Sequence, residues 1–444
     1  MRGKKMTGKF SFLVVFIALL SGLSWAQTAT DLAALKGLAP LTMLAKIPGG
    51  NQALASNYVV TGGLQNGSVR QATLLPFADQ QQQALRDVFI TGDNLAELAD
   101  GLGTTLGSAY LARAHYIDQS HFTSLSPAVA SVIATATATS GANSNSGKYF
   151  FANATTNGKT PVSAEALKIL HDLGGDTDVF GKSYGLPAGS PGADSYGNSR
   201  PFQTEPSIAP IVGPDYFNVP ANNAVYNRGP LMNLTDSPSF PSGHTTYGYT
   251  GALLLAVLVP ERYQQMIARG AEYGNDRILV GAHYAMDVIG GRTLALYDMA
   301  HLLADDPAYA KQDFQAAVRS ARADMVATLT AACGESLAAA AREDTGRFSN
   351  AAADEAFYES TQTYGLATVY PENADKLEDV GKLAPEAGYL LTVAFPTLSL
   401  EQADRILTET EGPGGGFLDN GSAFGVYSRL DLYAAAGRAA AIAK

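Results

Sequence analysis

Apolar residues return every three or four positions through most of this chain, the period of a helix with one buried face. The pattern runs over 30–47 (TDLAALKGLAPLTMLAKI) and 76–116, with shorter stretches at 125–139 and 162–173. It resumes at 243–259, 261–273 and 282–302, then at 309–333, 335–343, 348–360, 399–410 and 426–443. Alternation of the kind a half-buried strand shows is confined to YVVTG near residue 58 and YLLTVAF near 389. The stretch TSGANSNSGKYFFANATTNGKT at 139–160 is polar and reads as a loop. The pattern therefore predicts an all-α helical bundle with long irregular loops and no internal repeat.

The longest irregular segment is 174–241, where ten of the 21 prolines fall between Pro187 and Pro241 among many Gly, Ser and Asn. Loops of this length inside a compact domain are usually functional or disordered. At the other extreme, FLVVFIALL follows Arg2, Lys4, Lys5 and Lys9 and precedes Ser24-Trp25-Ala26. That is the layout of a secretory signal over residues 1–26, with an N-terminal membrane anchor as the other reading. The run is shorter than the ~20 residues that span a bilayer, and GALLLAVLVP at 251–260 reads as a buried helix rather than a second span. The expected division is a signal peptide at 1–26, a helical core domain at 27–305 and a helical extension at 306–444, whose separateness the pattern leaves open.

Composition narrows the function classes. Apolar residues make up 46% and charged residues 16%, a globular balance. Loss of Arg2, Lys4, Lys5 and Lys9 with the signal takes the net charge from −11 to −15, which argues against nucleic acid as a partner. An anion could then be held only by a local positive site set into an acidic surface. Cys333 is the single cysteine, so neither an intrachain disulfide nor a cysteine metal cluster can form. An exported protein of this kind relies on its core.

Three short stretches carry candidate chemistry. In SFPSGHTTYG (239–248), Ser242-Gly243-His244 stands where an irregular segment becomes a helix. First-turn N–H groups lack intrahelical partners there and the helix dipole is positive, so the position suits an anion. Ser242 is a natural N-cap, and Gly243 lets a ligand approach the backbone. In NDRILVGAHYAMDVIGG (275–291), His283 and Asp287 are four apart and share a face of a helix beginning near Ala282. A carboxylate on one imidazole nitrogen makes the other the better nucleophile or base. Arg277, six residues before His283, would point about 240° away on a continuous helix, and Gly281 offers the break that brings both to one pocket. In NSRPFQ (198–203), Arg200 precedes a proline and is held extended. Taken singly, each fits a structural role: a Ser N-cap followed by an incidental His, a buried His–Asp pair, a solvated loop arginine. His115, His121, His171 and His301 lack metal-site spacing and read as surface or satisfied core residues.

In order, the three stretches read Arg-Pro, then Pro-Ser-Gly-His, then Arg-x5-His-x3-Asp. This resembles the three-part signature of the type 2 phosphatidic acid phosphatase superfamily, which includes bacterial class A nonspecific acid phosphatases and vanadium haloperoxidases. The likeness covers about residues 193–287. It implies the helical fold of that group and an exported acid phosphatase, periplasmic or secreted, acting on small phosphomonoesters without a metal. Carried over position by position, it implies that His283 is the nucleophile that forms a phosphohistidine, Asp287 orients it, and His244 is the acid and base. Arg200, Ser242, Gly243 and Arg277 would bind the phosphate. One position departs: the family has a lysine seven residues before its arginine, where this chain has Ala193. Lys182 reaches the site only if its loop folds back. The alternatives are a vanadium-dependent haloperoxidase, with vanadate in the same pocket on His283, and a non-catalytic phosphate-binding protein that lost turnover with the lysine. The stretches at 389–410 and 427–437 also resemble extensions of exported bacterial members, with no chemistry attached. Oligomeric state is left open, a homo-oligomer included.

Overall fold

The computed structural model describes residues 27–89, 94–175, 198–204, 208, 210–223, 237–311, 313–342 and 345–443. The expected signal segment 1–26, Lys182 and Ala193 lie outside the described residues. Helices of eight residues or more are α1 (Ala29–Leu38), α2 (Pro48–Asn66), α3 (Phe77–Asp87), α4 (Thr104–Leu111), α5 (Pro127–Asn153) and α6 (Ala164–Leu173). They continue as α7 (Gly243–Leu258), α8 (Tyr263–Leu279), α9 (Ala285–Leu303), α10 (Phe314–Cys333), α11 (Ala351–Thr363), α12 (Leu400–Glu409) and α13 (Leu432–Ile442). One small antiparallel sheet pairs β1 (Val212–Pro214) with β2 (Pro220–Asn222). The all-α expectation holds.

At the centre lies α7, which packs on α8, α9 and α5. It is buried on every side from Gly243 to Leu258 except at Tyr247, so it has no polar face to pattern. No helix among the described residues is long and apolar enough to cross a membrane. One buried apolar cluster joins Leu253, Leu254 and Val257 of α7 and Met266 of α8 to Val318 and Met325 of α10, Leu407 of α12 and Ala435 of α13. Residues on both sides of position 305 thus share a core.

Several expectations are corrected. YVVTG is not a strand but part of α2, where Ala53, Leu54, Asn57, Thr61 and Leu64 turn inward at helical spacing while Val59 faces out. YLLTVAF is likewise not a strand: Tyr389–Thr392 is a short helix whose Leu390 and Leu391 are buried. The region 76–116 breaks into α3, a 3-10 turn at Ala96–Leu102 and α4. The largest correction is 139–160, whose first fifteen residues continue α5 to Asn153. Its polarity is buried polarity. Asn143 donates to Asp298 (2.8 Å) and Ser146 to Asp31 (2.6 Å), while the Ser140 hydroxyl returns to the Ala136 carbonyl (3.0 Å). The glycines allow close approach: a Cβ on Gly147 would stand 2.9 Å from the Pro241 ring, and one on Gly141 2.9 Å from the Tyr247 hydroxyl.

Candidate active site

The break anticipated at Gly281 is present. After α8 ends at Leu279 the chain turns through Gly281 at φ +78, a left-handed conformation suited to glycine. The Arg277 carbonyl accepts from the N–H groups of Ala282 (3.1 Å) and His283 (3.2 Å), folding His283 back against the last turn of α8. His283 is not itself on a helix, contrary to the reading of one starting near Ala282: α9 begins at Ala285, after the extended Tyr284. Asp287 occupies the first turn of α9 and accepts from the Tyr284 N–H (2.8 Å). The next N–H groups, of Ala285 and Met286, donate to Thr61 Oγ1 (3.0 Å) and Asn57 Oδ1 (2.9 Å) of α2. The start of α9 is thereby fixed on all sides, and with it the carboxylate.

His283 is fully buried between two partners. Nε2 lies 2.9 Å from Arg200 Nη1 and Nδ1 lies 3.3 Å from Asp287 Oδ2. A guanidinium can only donate, so Nε2 accepts and the ring proton sits on Nδ1, facing the carboxylate. Ser239 Oγ donates to Asp287 Oδ2 and stands 3.3 Å from His283 Nδ1. Arg200 also donates to the carbonyls of Ala282, Ser237 and Pro238, at 3.0, 2.8 and 3.1 Å. The loop arginine is therefore buried and oriented.

The segment 239–242 is held in place before α7 begins. Asn198 accepts from the Phe240 N–H and donates to its carbonyl, both at 3.1 Å, and the Ser242 N–H reaches the Asp287 carbonyl (3.0 Å). Ser242 caps α7 by accepting from the Thr245 N–H (3.2 Å) and also accepts from the Thr245 hydroxyl (2.8 Å). Both acceptor positions being used, its own proton is directed elsewhere. Gly243 and His244 are the first two helical residues, whose N–H groups have no intrahelical acceptor.

Electrostatics tie these pieces together. Arg277 is fully buried, and all three guanidinium nitrogens lack a hydrogen-bond partner among the described residues. Burial holds its pKa below the usual arginine value. Burial, then Arg277, Lys148 and Arg200, push the His244 pKa well down; burial, then Arg200, Arg277, His244 and Lys148, do the same to His283. Both imidazoles are therefore neutral in the free protein near pH 7. Asp287 is pushed up to about 7 by burial, against the hydrogen bonds from Ser239 and Tyr284. Arg200, Arg277 and Lys148 thus set a positive field at the two imidazoles, a place suited to a guest of opposite charge.

Comparison with known proteins bears on which guest. Residues 190–304 match the PAP2 superfamily model. The chain is 44% identical over 69 residues to a non-specific acid phosphatase of Salmonella typhimurium, covering 16% of this chain and 28% of the relative. It is 37% identical over 94 residues to an acid phosphatase of Zymomonas mobilis, covering 21% of this chain and 33% of that one. A non-specific acid phosphatase of Providencia stuartii is 37% identical over 89 residues, 20% of this chain and 36% of its own length. The match to the PAP2 superfamily model covers about a quarter of this chain. The chain spans about a third of the length of the curated relatives it matches.

The stretch that matches the PAP2 superfamily model contains all seven residues singled out in the sequence: Arg200, Ser242, Gly243, His244, Arg277, His283 and Asp287. Six of the seven are under 7% exposed, and Gly243 is buried with them. Three contributors escaped the sequence reading. Ser239 lay inside the quoted stretch but outside its motif. Asn198 adjoined Arg200 and showed no pattern. Lys148 lay in α5, outside the stretch that matches the PAP2 model, in a segment read as loop.

Proposed function

We propose that the chain is an exported acid phosphatase that hydrolyses small phosphomonoesters through a phosphohistidine. The reading is carried by the Arg277 guanidinium, buried with every nitrogen unpaired among the described residues and with two neutral imidazoles in its field. A buried cation without a partner is costly unless a function requires it, and a tetrahedral oxyanion supplies the missing acceptors. The names of the relatives support the same activity.

In this reading the phosphoryl group lies between His244 and His283, with Arg277, Arg200, the Ser242 hydroxyl and the first N–H groups of α7 on its nonbridging oxygens. Arg200 Nη1 passes from His283 Nε2 to a phosphate oxygen, which frees the Nε2 lone pair for in-line attack. Asp287 balances the charge that the ring gains as Nε2 bonds to phosphorus. His244 donates a proton to the leaving oxygen, then takes one from the water that hydrolyses the intermediate. Bound phosphate reverses the field of the arginines and raises the His244 pKa into the range such a proton shuttle needs. Positioning and charge account for most of phosphoryl transfer, and these donors provide both.

The test is hydrolysis of p-nitrophenyl phosphate by the wild type beside His283→Ala, with rapid alkaline quench of labelled substrate. Expected are loss of turnover by at least about 10³-fold and, in the wild type only, label stable to alkali and released by acid. Equal rates in the two proteins would defeat the nucleophile assignment; phosphate binding without hydrolysis would favour a non-catalytic role. Halide oxidation with added vanadate and peroxide would favour a haloperoxidase. Export rests on residues 1–26, and the N-terminal mass of the protein recovered from periplasm or medium checks it.

A further inference from the structure

Lys148 lies in the last two turns of α5, and a Cβ built on Gly243 would stand 3.0 Å from its Nζ. The ammonium therefore sits against the first residue of α7, at the helix end where the phosphate is proposed to bind. It is 8% exposed, and no hydrogen bond or ion pair holds it among the described residues. The charged groups acting on it are Arg200 and Arg277, both cations, and it acts in turn on His244 and His283; the Asp287 carboxylate beside His283 is engaged by Ser239 and Tyr284. Asp31 and Asp298, which face other turns of α5, are taken by Ser146 and Asn143. A lysine in a structural role would snorkel to water or find a carboxylate. This one stays buried and has no carboxylate partner among the described residues.

We propose that Lys148 is a phosphate-binding residue of this site, supplied by α5 from outside the stretch that matches the PAP2 model. It is the third cation on the oxyanion and fills the charge that Ala193 leaves out of the loop. The proposal rests on the phosphatase reading above. Three packing features support the placement. Gly147 lets α5 close on Pro241, Gly243 leaves room for Nζ where a Cβ would crowd it, and the small Ser144 stands beside it. Burial, then Arg200 and Arg277, bring the Lys148 pKa down to about 7, so the free site loses this charge as pH rises through neutrality.

The experiment compares wild type, Lys148→Gln, Lys148→Arg and Lys182→Gln for p-nitrophenyl phosphate kinetics, inhibition by inorganic phosphate and the pH profile of kcat/KM. Thermal melts check that each variant folds. Lys148→Gln is expected to raise KM and the phosphate inhibition constant by at least about ten-fold, the loss of one charge-assisted hydrogen bond. Lys148→Arg keeps most of the affinity and moves the alkaline fall of kcat/KM to higher pH, a shift that a packing role would not produce. Lys182→Gln is expected to match the wild type. Constants within two-fold of wild type for Lys148→Gln, or a loss confined to Lys182→Gln, overturn the proposal. A wild type that neither binds nor hydrolyses phosphoesters would instead sink the phosphatase reading, and this one with it.

Discussion

Replacing Arg277 with methionine is expected to separate binding from stability. The free protein holds this guanidinium fully buried with no hydrogen bond among the described residues, and the field of Tyr273, Glu97, Asp276 and Asp87 compensates it in part. That field falls short, since the Arg277 pKa lies below the usual value. Exchanging such a cation for an apolar side chain of similar length should leave phosphate-free stability unchanged or raise it by about 1–3 kcal/mol. The same change removes the central donor to the anion. A ligand at about 100 Kd stabilises the form it binds by ~2.7 kcal/mol. Unfolding entropy of ~2.1 cal/mol/K per residue over 444 residues gives about 0.9 kcal/mol/K, so that binding appears as a rise of roughly 3 °C in Tm. Differential scanning calorimetry with and without inorganic phosphate measures both halves. Wild type should gain those degrees and Arg277→Met none, while its phosphate-free Tm does not fall. A phosphate-free loss of more than about 2 °C, with phosphate stabilisation intact, would show that Arg277 is a structural ion and refute the reasoning.

Arg269, on the same helix, gives the opposite expectation: it holds Asp87 through two nitrogens (2.5 and 2.8 Å) and Asp100 at 2.7 Å, so Arg269→Met should cost about 3–5 kcal/mol in denaturant unfolding by stranding those carboxylates. His244→Ala should lower kcat/KM, which reports formation of the phosphoenzyme, by about 10²–10⁴-fold on alkyl phosphates but far less on p-nitrophenyl phosphate, whose leaving group needs no proton; equal losses of kcat/KM on both would remove His244 from the acid role. Lys148, charged in the unfolded chain up to pH ~10.4, is pushed down to about 7 in the folded one, so between those values the unfolded state binds more protons and stability rises with pH. Urea unfolding of wild type and Lys148→Met in phosphate-free buffer should differ by a slope of up to ~1.4 kcal/mol per pH unit from about pH 7 to 10, and parallel curves would contradict the low pKa.

The helices and the chemical centre were legible to different degrees, for physical reasons. Amphipathic helices such as α3 and α12 announce themselves, because one face is wet and the other dry. The central α7 was found because a run of Leu, Ala and Val follows a capping serine, although a helix buried all round has no period to read. The early part of α5 was visible and its latter half was not. There Ser, Gly and Asn replace apolar residues because the helix meets its neighbours backbone to ring, and its polar groups are satisfied across the contact. A hydropathy pattern scores such a face as solvent. The same blindness hid Asn57 and Thr61, polar residues of α2 that serve α9 rather than water.

The site divides along the same line. His244, Arg277, His283 and Asp287 are tied to local backbone events, a helix start and a glycine turn, so their spacing along the chain is constrained and can be read. Lys148 is tied to nothing local. A cation that stabilises charge on a phosphoryl group must occupy a place in space, and a long flexible side chain can reach that place from any element that borders it. Ala193 was therefore a poor guide to the charge of the pocket. Its effect depends on whether the ammonium on α5 reaches the anion, which makes the double variant Ala193→Lys/Lys148→Gln decisive for the placement. If charge at that position is what matters, restoring the loop lysine should recover at least part of the phosphate affinity lost with Lys148, as read by the phosphate inhibition constant. If Lys148 acts only by holding α5 against Pro241, a lysine at 193 can restore nothing.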